Sequence, residues 1–395
     1  MPEILRLAAA SPRDLVRRLR SPTPDGPEAD LPVRVAVANP TASRLALAAG
    51  IVARGVPWRG GQDVWFTPDP LLGTGSLVFM FPGLDANDRP VLDEVSAEFG
   101  LPRVVADRTG TVGGHTVDVL RTGWLLDKAL RRLGVTPDVV VGHSCGEWSA
   151  LFSAGLAAPE AFDGFVRRMG PDAFPLPGVV FAAIGTGAAA AEHLVDADPD
   201  VVVSHHNSPC QTVICGPDPS VRRCLDRLDA TVPRKVLPFR SGFHTPMLRP
   251  YLPPITAILD GLPLRPPAGA LWSAITAAPY PTGERAIRAL LHRHLVERVR
   301  FRETVERLYA NGARAFVQVG RGSLTTFVAD TLDGRDHLAV SAGSSPPELH
   351  RAVAALWVDG LTPDPPSDPV VREFAALLRE MELATRAVVG LWERR

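Results

Sequence analysis

The stretch VVVGHSCGEWSALFSAG, residues 139–155, decides how this chain is read. Val139, Val140 and Val141 form a β-branched run suited to a buried strand. Gly142-His143-Ser144-Cys145-Gly146-Glu147 interrupts it, and Trp148 to Ala154 continue with helical character. A serine held between two glycines, where a strand turns into a helix, is the nucleophile-elbow pattern. Only small residues fit beside so sharp a turn. The turn lifts the hydroxyl clear of the sheet and sets it at a helix N-terminus. Backbone amides and the positive end of the helix dipole favour a developing oxyanion there.

A serine hydroxyl needs a base. Of the ten histidines, His244 in SGFHTPM is the best placed, because Gly242, Thr245 and Pro246 fix a loop around it. His143 adjoins the serine, but neighbouring side chains around an elbow point apart, so it reads as a packing group. His205 and His206 stand at a strand end and read as structural or surface groups. His115, His193, His292, His294, His337 and His350 fall in helices or at loop edges with no evident catalytic setting.

Composition bounds the alternatives. A chain of 395 residues, 46% hydrophobic and 22% charged, can bury a large core, as one domain with an insertion or as two domains. The net charge of −1 gives no reason to expect nucleic acid or an anionic membrane as a partner. No apolar run approaches the roughly 20 residues that span a bilayer. The N-terminus MPEILRLAAASPRDLVRRLR lacks a signal-peptide core, so a cytoplasmic protein is expected. Lys128 and Lys235 are the only lysines, a skew towards arginine that fits a GC-rich coding sequence. Cys145, Cys210, Cys215 and Cys224 are scattered without ligand or redox spacing. No metal site and no bound cofactor are expected.

Along the chain, residues 1–75 read as a preface, with a helix near 11–20, the strand VRVAVA and a helix from Thr41 to Arg54. SLVFMFPGLDAND follows as a buried strand ending in a Pro-Gly loop. The spacing in 117–133 predicts a helix feeding the strand at 138–142. Residues 178–239 read β-α-β-β-α-β, the ferredoxin-like order, set inside a larger α/β unit that covers 76–177 and 240–330. Residues 331–395 form a C-terminal linker, PDPPSDP, and an amphipathic helix. Val370, Val371, Phe374, Leu377, Leu378, Met381, Val388, Leu391 and Trp392 share one face of that helix.

Five motifs in order resemble the malonyl-CoA:acyl-carrier-protein acyltransferase family, which includes the acyltransferase domains of modular polyketide and polyunsaturated fatty acid synthases. They are FPGLDAN, GHSCGE, NSPCQTVICGP, SGFHTPM and FVQVGRGSLTTFV. The resemblance implies an α/β-hydrolase-like large subdomain with an inserted ferredoxin-like small subdomain. It implies a Ser144–His244 dyad working by ping-pong, with the backbone amides of Cys145 and Leu84 holding the oxyanion. Acyl-CoA or acyl-phosphopantetheine would be the substrate, with His143 and Asn207 beside it. Leu84 stands where the family has glutamine, and Asp85 where it has glycine. Malonyl-using members carry an arginine in the helix after Gly155. Counted without gaps that position is Met169, and a one-residue slip would restore Arg168. A methionine offers an apolar wall in place of a partner for a free carboxylate. An acyl group lacking a free carboxylate is therefore expected. Phe243 resembles the bulky residue of malonyl-type members and argues for a narrow pocket.

The implied partner is an acyl carrier protein, and a ketosynthase or other synthase module could meet the flanking linkers. Because carrier proteins are acidic, Arg222, Arg223, Arg234, Lys235, Arg240 and Arg249 are candidates for the docking rim. Three other functions stay open: an editing hydrolase acting on acyl carriers, a malonyl transferase using Arg168, and a non-catalytic docking domain.

Overall fold

The computed structural model describes residues 3–26, 31–84, 92–106, 109–170 and 176–363. The chain begins with β1 (Ile4–Ala9), α1 (Pro12–Arg20), β2 (Val33–Ala38), α2 (Ala42–Arg54), β3 (Trp58–Arg59) and β4 (Val64–Thr67). The four strands pair antiparallel in the order β1-β2-β4-β3. Alternation sorts the two faces. Leu5, Leu7, Val35 and Val37 pack with Leu15 and Leu19 of α1 and Ile51 and Val52 of α2. Ala8, Ala36, Ala38 and Trp65 face the other way, into the main core. Ser11 and Thr41 cap the two helices by accepting the Asp14 and Arg44 backbone N–H groups. The sequence reading found α1, β2 and α2 but missed β1, β3 and β4. ILRLAA is made of good helix formers, and pairing with β2 overrides that preference.

Next come β5 (Ser76–Phe81), α3 (Asp93–Glu98), α4 (Val112–Arg132), β6 (Val139–Gly142), α5 (Gly146–Ser153) and α6 (Phe162–Arg168). α4 starts five residues earlier than the spacing predicts. Gly113 and Gly114 weaken the signal, but Thr111 caps the helix by accepting the Gly114 N–H at 3.1 Å.

Residues 180–240 hold β7 (Val180–Ile184), α7 (Ala188–Val195), β8 (Val202–Ser208), β9 (Gln211–Gly216), α8 (Asp218–Asp226) and β10 (Arg234–Arg240). This is the element order expected from the sequence. The remainder contributes α9 (Leu252–Asp260), β11 (Ala270–Ser273), β12 (Ala278–Pro279), α10 (Glu284–Val296), β13 (Val299–Arg300), α11 (Phe301–Ala310), β14 (Ala313–Gln318), α12 (Leu324–Thr331), β15 (Leu338–Ser341) and α13 (Pro346–Val358).

The molecule is mixed α/β, with three sheets among the described residues. The central sheet runs β12-β11-β6-β5-β14-β15 and is parallel except for β12. It is covered on both faces, so β5 is apolar from Leu77 to Phe81. Leu77, Phe79 and Phe81 point towards α4, α5 and α13, whereas Val78 and Met80 point towards α11 and α12. The third sheet runs β10-β7-β9-β8-β13. Its first four strands pair antiparallel, and β13 joins in parallel, setting Val299 opposite His205. The short β13 therefore ties residues 180–240 to the chain that follows them. The amphipathic helix read over 370–392 lies outside the described residues. Among the described residues no helix is long and apolar enough to cross a membrane.

Candidate active site

At the C-terminal end of β6 the chain turns within four residues into α5. Ser144 occupies the left-handed region with φ 54°. Such strain in a non-glycine residue persists only where the surroundings fix it. A β-carbon at Gly142 would lie 2.1 Å from the Glu147 nitrogen, and one at Gly146 would lie 2.2 Å from the Phe81 carbonyl oxygen. Both flanking positions are thus closed to every side chain. Gly83 presses on the same turn, since a β-carbon there would come within 3.0 Å of Ser144 Cβ.

Ser144 Oγ lies 2.8 Å from His244 Nε2. His244 is buried and also left-handed, with φ 63°. Its backbone N–H donates to the Leu295 carbonyl at 2.8 Å, and Thr245 Oγ1 donates to the Gly242 carbonyl at 2.7 Å. Burial, then the imidazoles of His205, His294 and His143, hold its pKa well below the usual histidine value. The neutral ring can therefore accept the serine proton. Its Nδ1 makes no hydrogen bond of good geometry among the described residues, although the Glu297 carbonyl pulls its proton affinity back up.

Behind the turn, Glu147 is fully buried. Its carboxylate accepts the Ala274 N–H at 3.1 Å and the Tyr280 hydroxyl at 2.5 Å. His294 Nδ1 lies 3.5 Å away. Cys145, which caps α5, has its thiol pushed up to about 12 by burial, so it is no rival nucleophile. The Leu84 backbone amide faces that thiol.

Ser144 and His244 open on a cavity of about 530 Å³. Trp148, Phe181, Val213, Leu237, Phe239 and Phe243 supply much of its wall, and His143, His205 and His294 supply polar edges. Arg234 and Lys235 line it from exposed positions at its mouth. None of the described lining residues carries a carboxylate. A small, largely apolar chamber that brings a serine hydroxyl against a neutral imidazole is suited to acyl transfer.

A family model for the acyl transferase domain matches residues 126–356, more than half of the chain. The chain belongs to that acyltransferase family. One relative, a polyunsaturated fatty acid synthase polypeptide of Thraustochytrium, is 32% identical over 209 residues, which is 50% of this chain. The match spans only 7% of that polypeptide's length. Malonyl CoA-acyl carrier protein transacylase of Bacillus subtilis is 27% identical over 248 residues, 60% of this chain and 77% of that protein. The acyltransferase domain of the iterative polyketide synthase in enediyne biosynthesis shares the fold, with a TM-score of 0.71 at 22% identity. The alignment covers 92% of this chain and 98% of that domain.

Other residues singled out in the sequence take varied places around this candidate site. His143 Nε2 lies 2.8 Å from Asn207 Oδ1, and Asn207 Nδ2 donates to Gln211 Oε1, so β8 is tied to the serine turn. Met169 is 1% exposed and packs in the main core rather than in the cavity lining. Arg168 is exposed and donates to the Gly164 carbonyl at 3.3 Å, away from the cavity. A substrate carboxylate in the cavity therefore does not meet Arg168, because the helical turn that buries Met169 sends its neighbour outward. Asp85 lies outside the described residues.

The basic candidates are unequal. Arg222 pairs with Asp218, Arg223 with Asp198, and Arg240 with Asp218 at 3.5 Å. Arg234 donates to the carbonyls of Leu225 and Leu228. Lys235 and Arg249 are exposed and make no ion pair among the described residues.

Sequence reasoning missed His205 and His294 as cavity residues. A signal was present for each. His205 stands two residues before Asn207, and the period of a strand puts both on the cavity side. His294 follows Leu290 and Leu291 by four and three residues, on the buried stripe of α10.

Proposed function

We propose that this acyltransferase moves an acyl group without a free carboxylate from coenzyme A or a carrier protein onto Ser144. It then passes the group to the phosphopantetheine thiol of an acyl carrier protein. The observation that carries this reading is the 2.8 Å contact between Ser144 Oγ and His244 Nε2 inside an apolar cavity. The described cations lining that cavity, Arg234 and Lys235, are exposed at its mouth, and Arg168 points elsewhere.

In the first half-reaction Ser144 Oγ attacks the thioester carbonyl and gives its proton to His244 Nε2. The carbonyl oxygen becomes an oxyanion held by the amides of Cys145 and Leu84, each worth about 10²–10³ in rate. Collapse breaks the carbon–sulfur bond, and His244 returns the proton to the departing thiolate. In the second half-reaction the carrier thiol gives its proton to His244, and its sulfur attacks the acyl-serine. Ser144 leaves and recovers the proton. The carrier as acceptor is supported by the Bacillus subtilis relative, whose name specifies acyl carrier protein.

The strand order of 180–240, β10-β7-β9-β8, supports a ferredoxin-like insertion, and the parallel central sheet supports a hydrolase-like body. Residues 1–75 are proposed as a linker flanking a synthase-type domain, where a ketosynthase would dock. The C-terminal linker read from 331 starts later, because β15 pairs in the central sheet and α13 packs in the main core.

Intact-mass analysis of Ser144 against a panel of acyl-CoAs and acyl-carriers tests the reading. An adduct that passes to holo-carrier supports it, and malonyl loading should be poor. Adducts lost to water would point to an editing hydrolase, and no adduct from any donor to a docking domain.

A further inference from the structure

Two contacts of Ser204 bear on the protonation of a second imidazole in the cavity wall. The Ser204 hydroxyl, fully buried, donates to the Val213 carbonyl at 3.1 Å. A carbonyl only accepts, so the single hydroxyl proton is used there. His205 Nδ1 lies 2.9 Å from the same Ser204 oxygen, and satisfying both contacts at once assigns the hydrogen of this one to Nδ1. A neutral imidazole has one N–H, which leaves Nε2 of His205 with a lone pair. Burial, then the imidazoles of His143, His206 and His294, keeps this ring neutral at pH 7.

The ring is also held in place. It stacks on His143 at 5.3 Å and 18°, and meets His244 edge-on at 5.0 Å. Its backbone sits between β9 and β13, opposite Val213 and Val299. His205 lines the cavity, and its Nε2 has no hydrogen-bond partner among the described residues. Nor is Nε2 among the sealed, unpartnered atoms of the interior, so it reaches open cavity space.

A fixed acceptor with no protein donor, one ring away from the base, is shaped for a donor on the substrate. We propose that His205 is a substrate-binding residue whose Nε2 accepts a hydrogen bond from the bound acyl thioester. The donor is an O–H on the acyl chain or the amide N–H of the pantetheine arm. This rests on the acyl-transfer reading and narrows it. An ionised carboxylate brings no proton and would face a lone pair, so the same residue disfavours malonyl-type groups. A site built around a hydrogen bond discriminates strongly against ligands that cannot make it.

The test compares Ser144 acylation by 3-hydroxybutyryl-CoA and butyryl-CoA in the unsubstituted protein, His205→Phe and His205→Gln. Phenylalanine keeps a stacking ring without the acceptor, and glutamine returns an oxygen at the reach of Nε2. His205→Phe should lower kcat/KM about tenfold or more, mainly through KM, with His205→Gln recovering most of it. A loss confined to the hydroxyacyl donor assigns the bond to the acyl hydroxyl. Equal loss with both donors assigns it to the pantetheine amide. Unchanged kcat/KM for both donors in a folded His205→Phe protein would overturn the proposal.

Nitrogen-15 histidine spectra of the Ser144→Ala protein give a second measurement that needs no turnover and no change at His205. The Nε2 signal should have the shift of an unprotonated nitrogen and move when hydroxybutyryl-CoA is added. A protonated Nε2 in the free protein would also sink the proposal. If the unsubstituted protein acylates with no donor at all while the spectra behave as expected, the failure lies with the transfer reading and not with His205.

Discussion

At the scale of single residues, the site depends on keeping imidazoles uncharged. Burial and mutual repulsion lower the proton affinity of His244, His205 and His143. The base form of His244 should therefore persist below the ordinary histidine pKa of about 6.5. The rate of Ser144 acylation should hold as pH falls through that value and drop only well beneath it. A stopped-flow pH profile centred on 6.5 would contradict this. Stability behaves in the corresponding sense. Below about 6.5 the unfolded chain takes up protons that the folded histidines refuse, so the folded state loses stability as pH falls. Urea midpoints should decline from pH 7 to 5, less steeply in His205→Gln. Met169 allows another prediction at this scale. An arginine there places a charge in a core position that is 1% exposed, and the melting temperature of Met169→Arg should fall clearly. Malonyl loading should stay poor in that variant, because the position packs in the main core and not in the cavity lining. Loading above that of the natural sequence would show that the new guanidinium reaches the cavity.

At the scale of elements, α5 is anchored through one buried carboxylate. Glu147 joins the serine helix to the β11–β12 turn through Ala274 and Tyr280. Removing the hydroxyl in Tyr280→Phe leaves a buried carboxylate short of a donor and should cost about 1–3 kcal/mol, read from denaturant midpoints. The acylation rate should fall with it, because Cys145, the proposed oxyanion donor, stands at the N-cap of α5. Elements also show why some of this was legible in the sequence and some was not. Strand-turn-helix at 139–153 was visible because Gly142 and Gly146 have no substitute in so crowded a turn. The β-α-β-β-α-β order was visible because short β-branched runs alternate with alanine- and arginine-rich helices. β1 was hidden because only Ile4 of ILRLAA is a strong strand former, and the segment becomes a strand by pairing with β2. The inward aim of Met169 beside the outward aim of Arg168 depends on the phase of a seven-residue helix, which spacing alone leaves ambiguous. His294 was hidden because its partner Glu147 lies 147 positions earlier, and only folding joins them.

At the scale of the whole molecule, the cavity lies between the central body and the sheet of residues 180–240, with Lys235 at its mouth. Among the described residues Lys235 makes no ion pair, so its charge remains available to an acidic carrier. Lys235→Glu should slow transfer to the carrier about tenfold at low salt while leaving acylation by acyl-CoA nearly unchanged. Raising the salt should bring the two proteins together, since exposed charges are screened within about 10 Å at 0.1 M. Equal slowing of both half-reactions would place Lys235 in donor binding instead. Arg222 and Arg223 should matter less, because each already has a carboxylate partner.

The two-residue β13 has a mechanical consequence. Residues 295–300 give the backbone acceptor for His244 at one end and pair with His205 and His206 at the other. The base and the inserted sheet are thus riveted to a common strut six residues long. Any breathing of the cleft that shifts one imidazole must drag the other, so the gap between them behaves as a fixed gauge for whatever passes through.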